Sequence, residues 1–176
     1  MRIPSKNMPK FKEQPTSFLG WFFLVLFIGA LIFLFYRIPY ALLLIPIFIV
    51  FEIKDNKKRN THFKEMLQNR QHESICTFSR YFECRKVDTW VIRAVYEQLQ
   101  NHLDKKFCNF PIRPTDDVFT DLLIDDDDFQ LDIVDEIAQR TGRTLDNAES
   151  NIYYEKANIV ENLVYFFNEQ PKTNEA

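Results

Sequence analysis

Residues 18–51 read FLGWFFLVLFIGALIFLFYRIPYALLLIPIFIVF, and these thirty-four residues carry a single charge, Arg37. A helix rises ~1.5 Å per residue, so one helix of this length would reach about 50 Å. The hydrocarbon core of a bilayer is only about 30 Å thick, and one straight span therefore does not fit. Pro39 disfavours helix at the residue before it and predicts a turn. We expect a membrane hairpin over residues 18–53, with spans at 18–36 and about 40–53.

The second span is short and contains Pro46, so a re-entrant or interfacial segment stays open as an alternative. The small residues Gly29-Ala30 would allow the two helices to approach closely. Basic residues flank the hairpin on both sides: Arg2, Lys6, Lys10 and Lys12 before it, and Lys54, Lys57, Lys58 and Arg59 after it. Because basic flanks favour the cytoplasmic side, the pattern predicts a two-span protein of a bacterial inner membrane with both termini in the cytoplasm.

The net charge of −3 conceals an asymmetry between the two parts of the chain. Residues 1–110 hold a surplus of basic residues, and residues 111–176 hold a larger surplus of acidic ones. The basic part is suited to anionic membrane lipid, which attracts basic residues next to a span. The acidic part excludes nucleic acid as a natural ligand and favours a protein partner with a basic surface.

The chain is divided by its composition into five parts. Residues 1–17 form a polar leader, expected to be disordered, and residues 18–53 form the hairpin. A basic linker and a stalk helix follow over 54–86, then a helical domain over 87–170 and a tail over 171–176. With three cysteines and no C-x-x-C pair, Cys76, Cys84 and Cys108 are expected to be reduced.

Helical periodicity dominates the domain, and little strand signal is present. Asp88 is expected to cap a helix with Val91, Val95 and Leu99 inward. A long loop over 107–123 precedes a helix that opens in Asp125–Asp128 and is stopped by Gly142. Asn158 is expected to cap the last helix. The fold class predicted is all-α, with a small four-helix bundle after the hairpin.

This order of helices resembles the acyl carrier protein fold. The stretch DDDDFQLDIVDEI at 125–137 looks like the start of the carrier recognition helix, and NIVENLVYFF at 158–167 is similar to its closing helix. The resemblance covers about residues 88–170 and is that of divergent carrier-like domains of uncharacterised enterobacterial proteins. It implies an acidic helix that docks on basic patches of partner enzymes.

The chain departs from the carrier pattern at the residue that matters for chemistry. A carrier attaches phosphopantetheine to a serine hydroxyl, and the aligned position here is Asp127, whose carboxylate cannot form that phosphodiester. No carrier cofactor is therefore expected. What the resemblance retains is the docking face, predicted to consist of Asp125, Asp126, Asp127, Asp128, Asp132, Asp135 and Glu136. A solvated acidic helix start is the alternative interpretation of the same residues.

Catalytic and metal motifs are missing from the sequence. Its three glycines cannot build a phosphate loop, and no G-x-S-x-G elbow is present. The aspartate run lacks the alternating ligands and turn glycine of a calcium loop. His72, Cys76 and Cys84 do not have zinc spacing.

The leading hypothesis is a non-enzymatic inner-membrane protein that displays a degenerate acyl-carrier-like docking domain. The alternatives are a membrane immunity or antitoxin-like factor and a true carrier modified at Thr120 or Ser150.

Overall fold

The computed structural model describes residues 4–12, 18–103, 105–107 and 109–173. All regular secondary structure within these ranges is helical. The only β-type pairings there are two isolated bridges, Asp117 with Ile159 and Arg143 with Lys172. The prediction of an all-α protein is confirmed. The chain forms two units: a segment within residues 12–64 that contains the apolar run, here called the apolar segment, and a helical domain made of residues 4–11 and 65–173.

The apolar segment contains α1, Phe18–Arg37. Its 20 residues reach about 30 Å, its mean hydropathy is 2.7, and none of its residues is buried. Within the described ranges it is the one helix long and apolar enough to cross a bilayer. The second predicted span is divided between a 3-10 helix, Pro39–Leu43, and the start of α2, Leu44–Gln68, which continues into charged residues. A Cβ built on Gly29 would meet no described atom within 4 Å, so the close helix approach that Gly29-Ala30 would allow is not seen.

The helical domain is built around α4, Thr89–His102. Val91, Val95 and Leu99 are fully buried on it, as their spacing predicts. α4 packs against α3 (Ile75–Tyr81), α6 (Val134–Thr141) and α7 (Val160–Glu169). Before α6 lie the short α5, Asp126–Asp128, and a π-helical turn, Phe129–Ile133. Short 3-10 helices lie at Lys105–Phe107, Ala148–Ser150 and Tyr154–Lys156.

The capping predictions have mixed outcomes. Asp88 caps α4 by accepting a hydrogen bond from the Trp90 amide at 2.9 Å. Gly142 ends α6 with φ of 64°, a left-handed conformation that glycine adopts without strain. Asn158 does not cap the last helix: α7 has Ile159 as its N-cap, and the Asn158 amide donates instead to Asp117 Oδ2 at 2.7 Å. That prediction is wrong because a loop carboxylate competes for the amide.

The described residues 4–11 of the leader are part of the domain. In place of the expected disorder, residues 4–11 include a 3-10 helix, Ser5–Asn7, and belong to the same unit as residues 65–173. Met8 is buried, and the Pro9 carbonyl accepts a hydrogen bond from Arg140 Nε at 3.2 Å. The domain also begins before residue 87, since Phe78 and Phe82 are buried in it. Residues 13–17, Cys108 and residues 174–176 lie outside the described ranges.

A buried ion pair organises the long loop after α4. Both carboxylate oxygens of Asp116 accept from Arg70, at 2.6 and 2.7 Å, and the two side chains are 3% and 6% exposed. Arg70 also donates to the Pro111 carbonyl at 3.0 Å and lies over the Phe110 ring. Bidentate geometry and a third bond to the carbonyl fill most of the donor capacity of the guanidinium, as a buried charge requires.

Asp116→Ala is expected to lower the free energy of unfolding by about 3–5 kcal/mol, because it leaves Arg70 buried without its counter-charge. Urea titration of the full chain in nanodiscs, read by Trp90 fluorescence in a Trp21→Phe background, measures the change. Glu83→Ala is the control, since its pair with Lys86 is highly exposed and contributes about 0–1 kcal/mol. Equal effects of the two variants would contradict the assignment.

Candidate functional site

Six of the seven predicted docking residues lie on one continuous helical run, residues 126–141, made of α5, the π-helical turn and α6, and the seventh, Asp125, is its N-cap. The Val134 amide donates to the Phe129 carbonyl, five residues earlier, which defines the π-turn. Phe129, Ile133 and Ile137 point inward and are buried. Phe129 also makes an edge contact with Phe119, with ring centroids 5.4 Å apart. The run is held by an apolar stripe on one side only.

The opposite side of this run is exposed and acidic. We call it the acidic face, and its carboxylates are Asp125, Asp126, Asp127, Asp128, Asp132 and Asp135, all exposed. Asp126 accepts hydrogen bonds from Gln130 Nε2 at 2.9 Å, one turn along the helix. Leu131 lies among these residues with 70% of its surface exposed.

Glu136 is not on the acidic face. Its side chain is 16% exposed, accepts a hydrogen bond from Gln98 Nε2 and lies 3.8 Å from His102 Nδ1. Burial raises the pKa of Glu136 above its ordinary value. The nearby charge of His102 lowers this pKa, but burial outweighs it. Helical periodicity in the sequence gives no signal that the Glu136 side chain turns toward α4 while that of Asp135 stays exposed. The structure thus brings six of the seven predicted residues together at the surface.

Arg140, buried on α6, connects the acidic helical run to two other parts of the domain. Its Nη1 donates to Gln98 Oε1 at 2.8 Å, and its Nη2 pairs with Glu97 on α4. Its Nε donates to the leader at Pro9. Gln98 is buried and joins Arg140 to Glu136, so the network fixes the rotation of α6 against α4. Arg140 was not a predicted site residue, and a lone arginine in an amphipathic helix carries no sequence signal of burial.

A pocket of about 570 Å³ opens beside the start of the acidic run. It lies between that run, the segment 145–158 and α7, and its walls include Phe119, Phe129, Leu163 and Phe166. Asp126 and Glu155 also line it. Its size is typical of small-ligand or side-chain pockets. Sequence reasoning missed it because its walls come from four separate segments: the loop at Phe119, the helical run, residues 145–158 and α7.

The remaining candidate positions are dispersed. Asp127, aligned with the carrier serine, is exposed in the first turn of α5. Thr120 lies in the loop turn that Asp117 organises, and the Ser150 hydroxyl donates to the Asn147 carbonyl at 2.7 Å. Cys76 and Cys84 are free and exposed. In the described part of the chain no three histidine, cysteine or acidic side chains gather as a metal site.

Comparison with known proteins gives no relative: no family model, curated protein or solved structure matches the chain.

Glu136→Gln is expected to raise the free energy of unfolding at neutral pH. In the folded chain the carboxyl keeps its proton to higher pH than in the unfolded chain, so its ionisation reduces stability as the pH rises from 4.5 through the folded pKa. Glutamine preserves an acceptor for Gln98 without the charge. Urea titrations at neutral pH and below pH 4.5 measure the difference, which should vanish in acid.

Asp135→Asn is the control for this change, since Asp135 is exposed. A neutral-pH loss of stability in Glu136→Gln would mean that the charge interaction with His102 outweighs burial.

Proposed function

We propose that this chain is a non-enzymatic membrane protein that displays a degenerate acyl-carrier-like bundle as a docking domain for a protein with a basic surface. The observation that carries the proposal is the acidic face, with six exposed carboxylates around the exposed Leu131. Such a surface attracts a basic partner over a distance through its charge. The leucine then supplies the apolar contact that charge pairs at a wet surface do not provide.

The rigidity of the acidic face supports the same function. Phe129, Ile133 and Ile137 anchor its inner side, and the Arg140–Gln98–Glu136 network holds the helix against α4. A preorganised surface loses less conformational entropy on binding than a mobile one. The side chain of Asp127 offers a partner a charge where a carrier offers a phosphopantetheine arm. Docking without a modified hydroxyl is therefore the proposed role, and modification at Thr120 or Ser150 is the competing one.

The membrane hairpin belongs to the proposal and is supported by the position of the leader. Residues 4–11 and 65–173 form one folded unit, so the chain leaves that unit and returns to it through residues 12–64. A folded unit lies on one side of a bilayer, and a segment that leaves and returns crosses it an even number of times. The basic flanks favour the cytoplasmic side.

The length of the returning segment is compatible with a second crossing. The 3-10 helix Pro39–Leu43 rises about 10 Å, and the start of α2 up to Ile53, apolar except for Glu52, adds about 15 Å. This total of about 25 Å is slightly less than the hydrocarbon thickness, a mismatch that local thinning absorbs. We propose a bacterial inner membrane as the location, with anionic lipid against the basic flanks.

The double variant Asp132→Lys with Asp135→Lys is expected to abolish capture of the partner. Both residues are exposed and lie beyond the first turn, so reversal removes attraction while the N-terminal caps stay in place. The measurement is cross-linking in native membranes followed by purification of the full chain. Glu149→Lys with Glu169→Lys matches the charge change away from the acidic face. If the Asp132→Lys, Asp135→Lys variant captured the partner as well as the native chain does, the acidic face would be only a solvated cluster of carboxylates.

The intact mass of the full chain, co-expressed with a phosphopantetheinyl transferase, separates docking from the carrier role. We expect no phosphopantetheine increment, because the aligned position offers a carboxylate. An increment mapped to Thr120 or Ser150 would establish the carrier alternative.

Single-cysteine labelling tests the hairpin. Lys6→Cys and Tyr40→Cys, each in a background without the native cysteines, report the leader and the turn, both of which are exposed. A membrane-impermeant maleimide should label Tyr40→Cys in spheroplasts and Lys6→Cys in inverted vesicles. Native Cys84 alone is the reference for the side of the helical domain. Labelling of Tyr40→Cys from the same side as Cys84 would instead support a re-entrant segment.

A further inference from the structure

We infer that the pocket beside the acidic run receives a bulky apolar side chain flanked by basic residues, supplied by the partner of the acidic face. This inference rests on the proposed docking function and names the contact that would give it specificity. The volume of about 570 Å³ is ample for one large side chain and its neighbours. The occupant is assigned from the chemistry of the walls and the rim.

The walls of the pocket are mixed, with apolar side chains beside Gln130, Asn158 and two carboxylates. Phe129, Leu163 and Phe166 are buried residues of two different helices, and Phe119 closes one side through its contact with Phe129. When an aromatic or long aliphatic group enters such a pocket, apolar surface of the group and of the pocket is removed from water, and this burial stabilises the bound state. Ala148 and Ala157 contribute small side chains, which leave the space open.

The charged side chains that line the pocket favour an occupant with a positive charge. Asp126 and Glu155 line it, and no lysine, arginine or histidine is found among its described lining residues. An anionic group, including a fatty carboxylate or a phosphate, would meet two carboxylates without a counter-charge. A cation beside the apolar group would instead be attracted by both.

Continuity with the acidic face identifies the source of this group. Asp126 belongs to both surfaces: it is exposed on the acidic face and lines the pocket. Gln130 also lines the pocket and donates to Asp126, so the two surfaces share a hydrogen-bonded border. A basic segment bound along the carboxylates would therefore pass the mouth of the pocket. One apolar residue in that segment inserted here would be the buried anchor of the interface.

Three water-soluble probes with the same apolar body test the assignment: 4-phenylbutylammonium, 4-phenylbutanol and 4-phenylbutyrate. Saturation-transfer NMR on the full chain in nanodiscs, with empty nanodiscs as blank, gives their relative affinities. We expect the ammonium probe to bind about five- to tenfold more tightly than the alcohol, because two carboxylates attract it, and the carboxylate probe to bind most weakly. Equal affinities or a preference for the carboxylate would overturn the inference.

Variants place the binding in the pocket. Ala148→Phe fills it and is expected to abolish binding of all three probes. Glu155→Gln, an exposed substitution that leaves the fold intact, is expected to reduce the preference for the ammonium probe about threefold or more. Asp135→Asn is the matched control, since Asp135 is on the acidic face but does not line the pocket. Probe binding that survives Ala148→Phe, or a preference unchanged in Glu155→Gln, would overturn the inference.

The docking function and the anchor pocket can be contradicted independently of each other. The variant of Asp132 and Asp135 that tests docking touches no lining residue, and Ala148→Phe touches no residue of the acidic face. Loss of partner capture with intact probe selectivity would support docking and leave the pocket assignment standing. Partner capture without any probe binding would retain the docking function and overturn the anchor pocket.

Discussion

The helical domain depends on one buried ion pair, that of Arg70 with Asp116. It ties the long loop after α4 to Arg70 at the Pro111 carbonyl and at Asp116, and the Arg113 amide also donates to Asp116. The loop in turn positions the start of α7, since the Asp116 and Pro114 carbonyls accept from the amides of Val160 and Glu161 at 3.0 and 2.8 Å. A segment with two prolines and no regular structure thereby acts as a fixed part of the core.

A second polar centre sets the orientation of the surface that carries the proposed function. Arg140 is bonded to α4 and to the leader at once, and its neighbour Gln98 extends the network to Glu136. The network lies on the inner side of α6, and the carboxylates of the acidic face lie on the outer side. Polar groups of one helix thus divide into two roles: paired and partly buried groups that determine the helix rotation, and unburied groups available to a partner.

The sequence predicts those features that local physics determines. The apolar run at 18–37, the cap at Asp88, the stop at Gly142 and the inward face of α4 depend on composition and period, and the structure agrees. Glu136, Arg140 and Asn158 were misplaced or overlooked because their positions depend on partners 38, 42 and 41 residues away. The pocket was missed for the same reason. Long-range polar pairing has no sequence period, so periodicity cannot reveal it.

The bond between the leader and Arg140 has a consequence for the order of synthesis. Pro9 and Arg140 are 131 residues apart, and a ribosome adds roughly 5–20 residues per second. The leader therefore waits on the order of ten seconds for its binding partner, while the residues between them are synthesised. During that interval the leader must stay in the compartment where the rest of the chain emerges. In the proposed hairpin, a leader carried across the bilayer would be kept apart from Arg140, so insertion and folding of this domain would have to follow a fixed order.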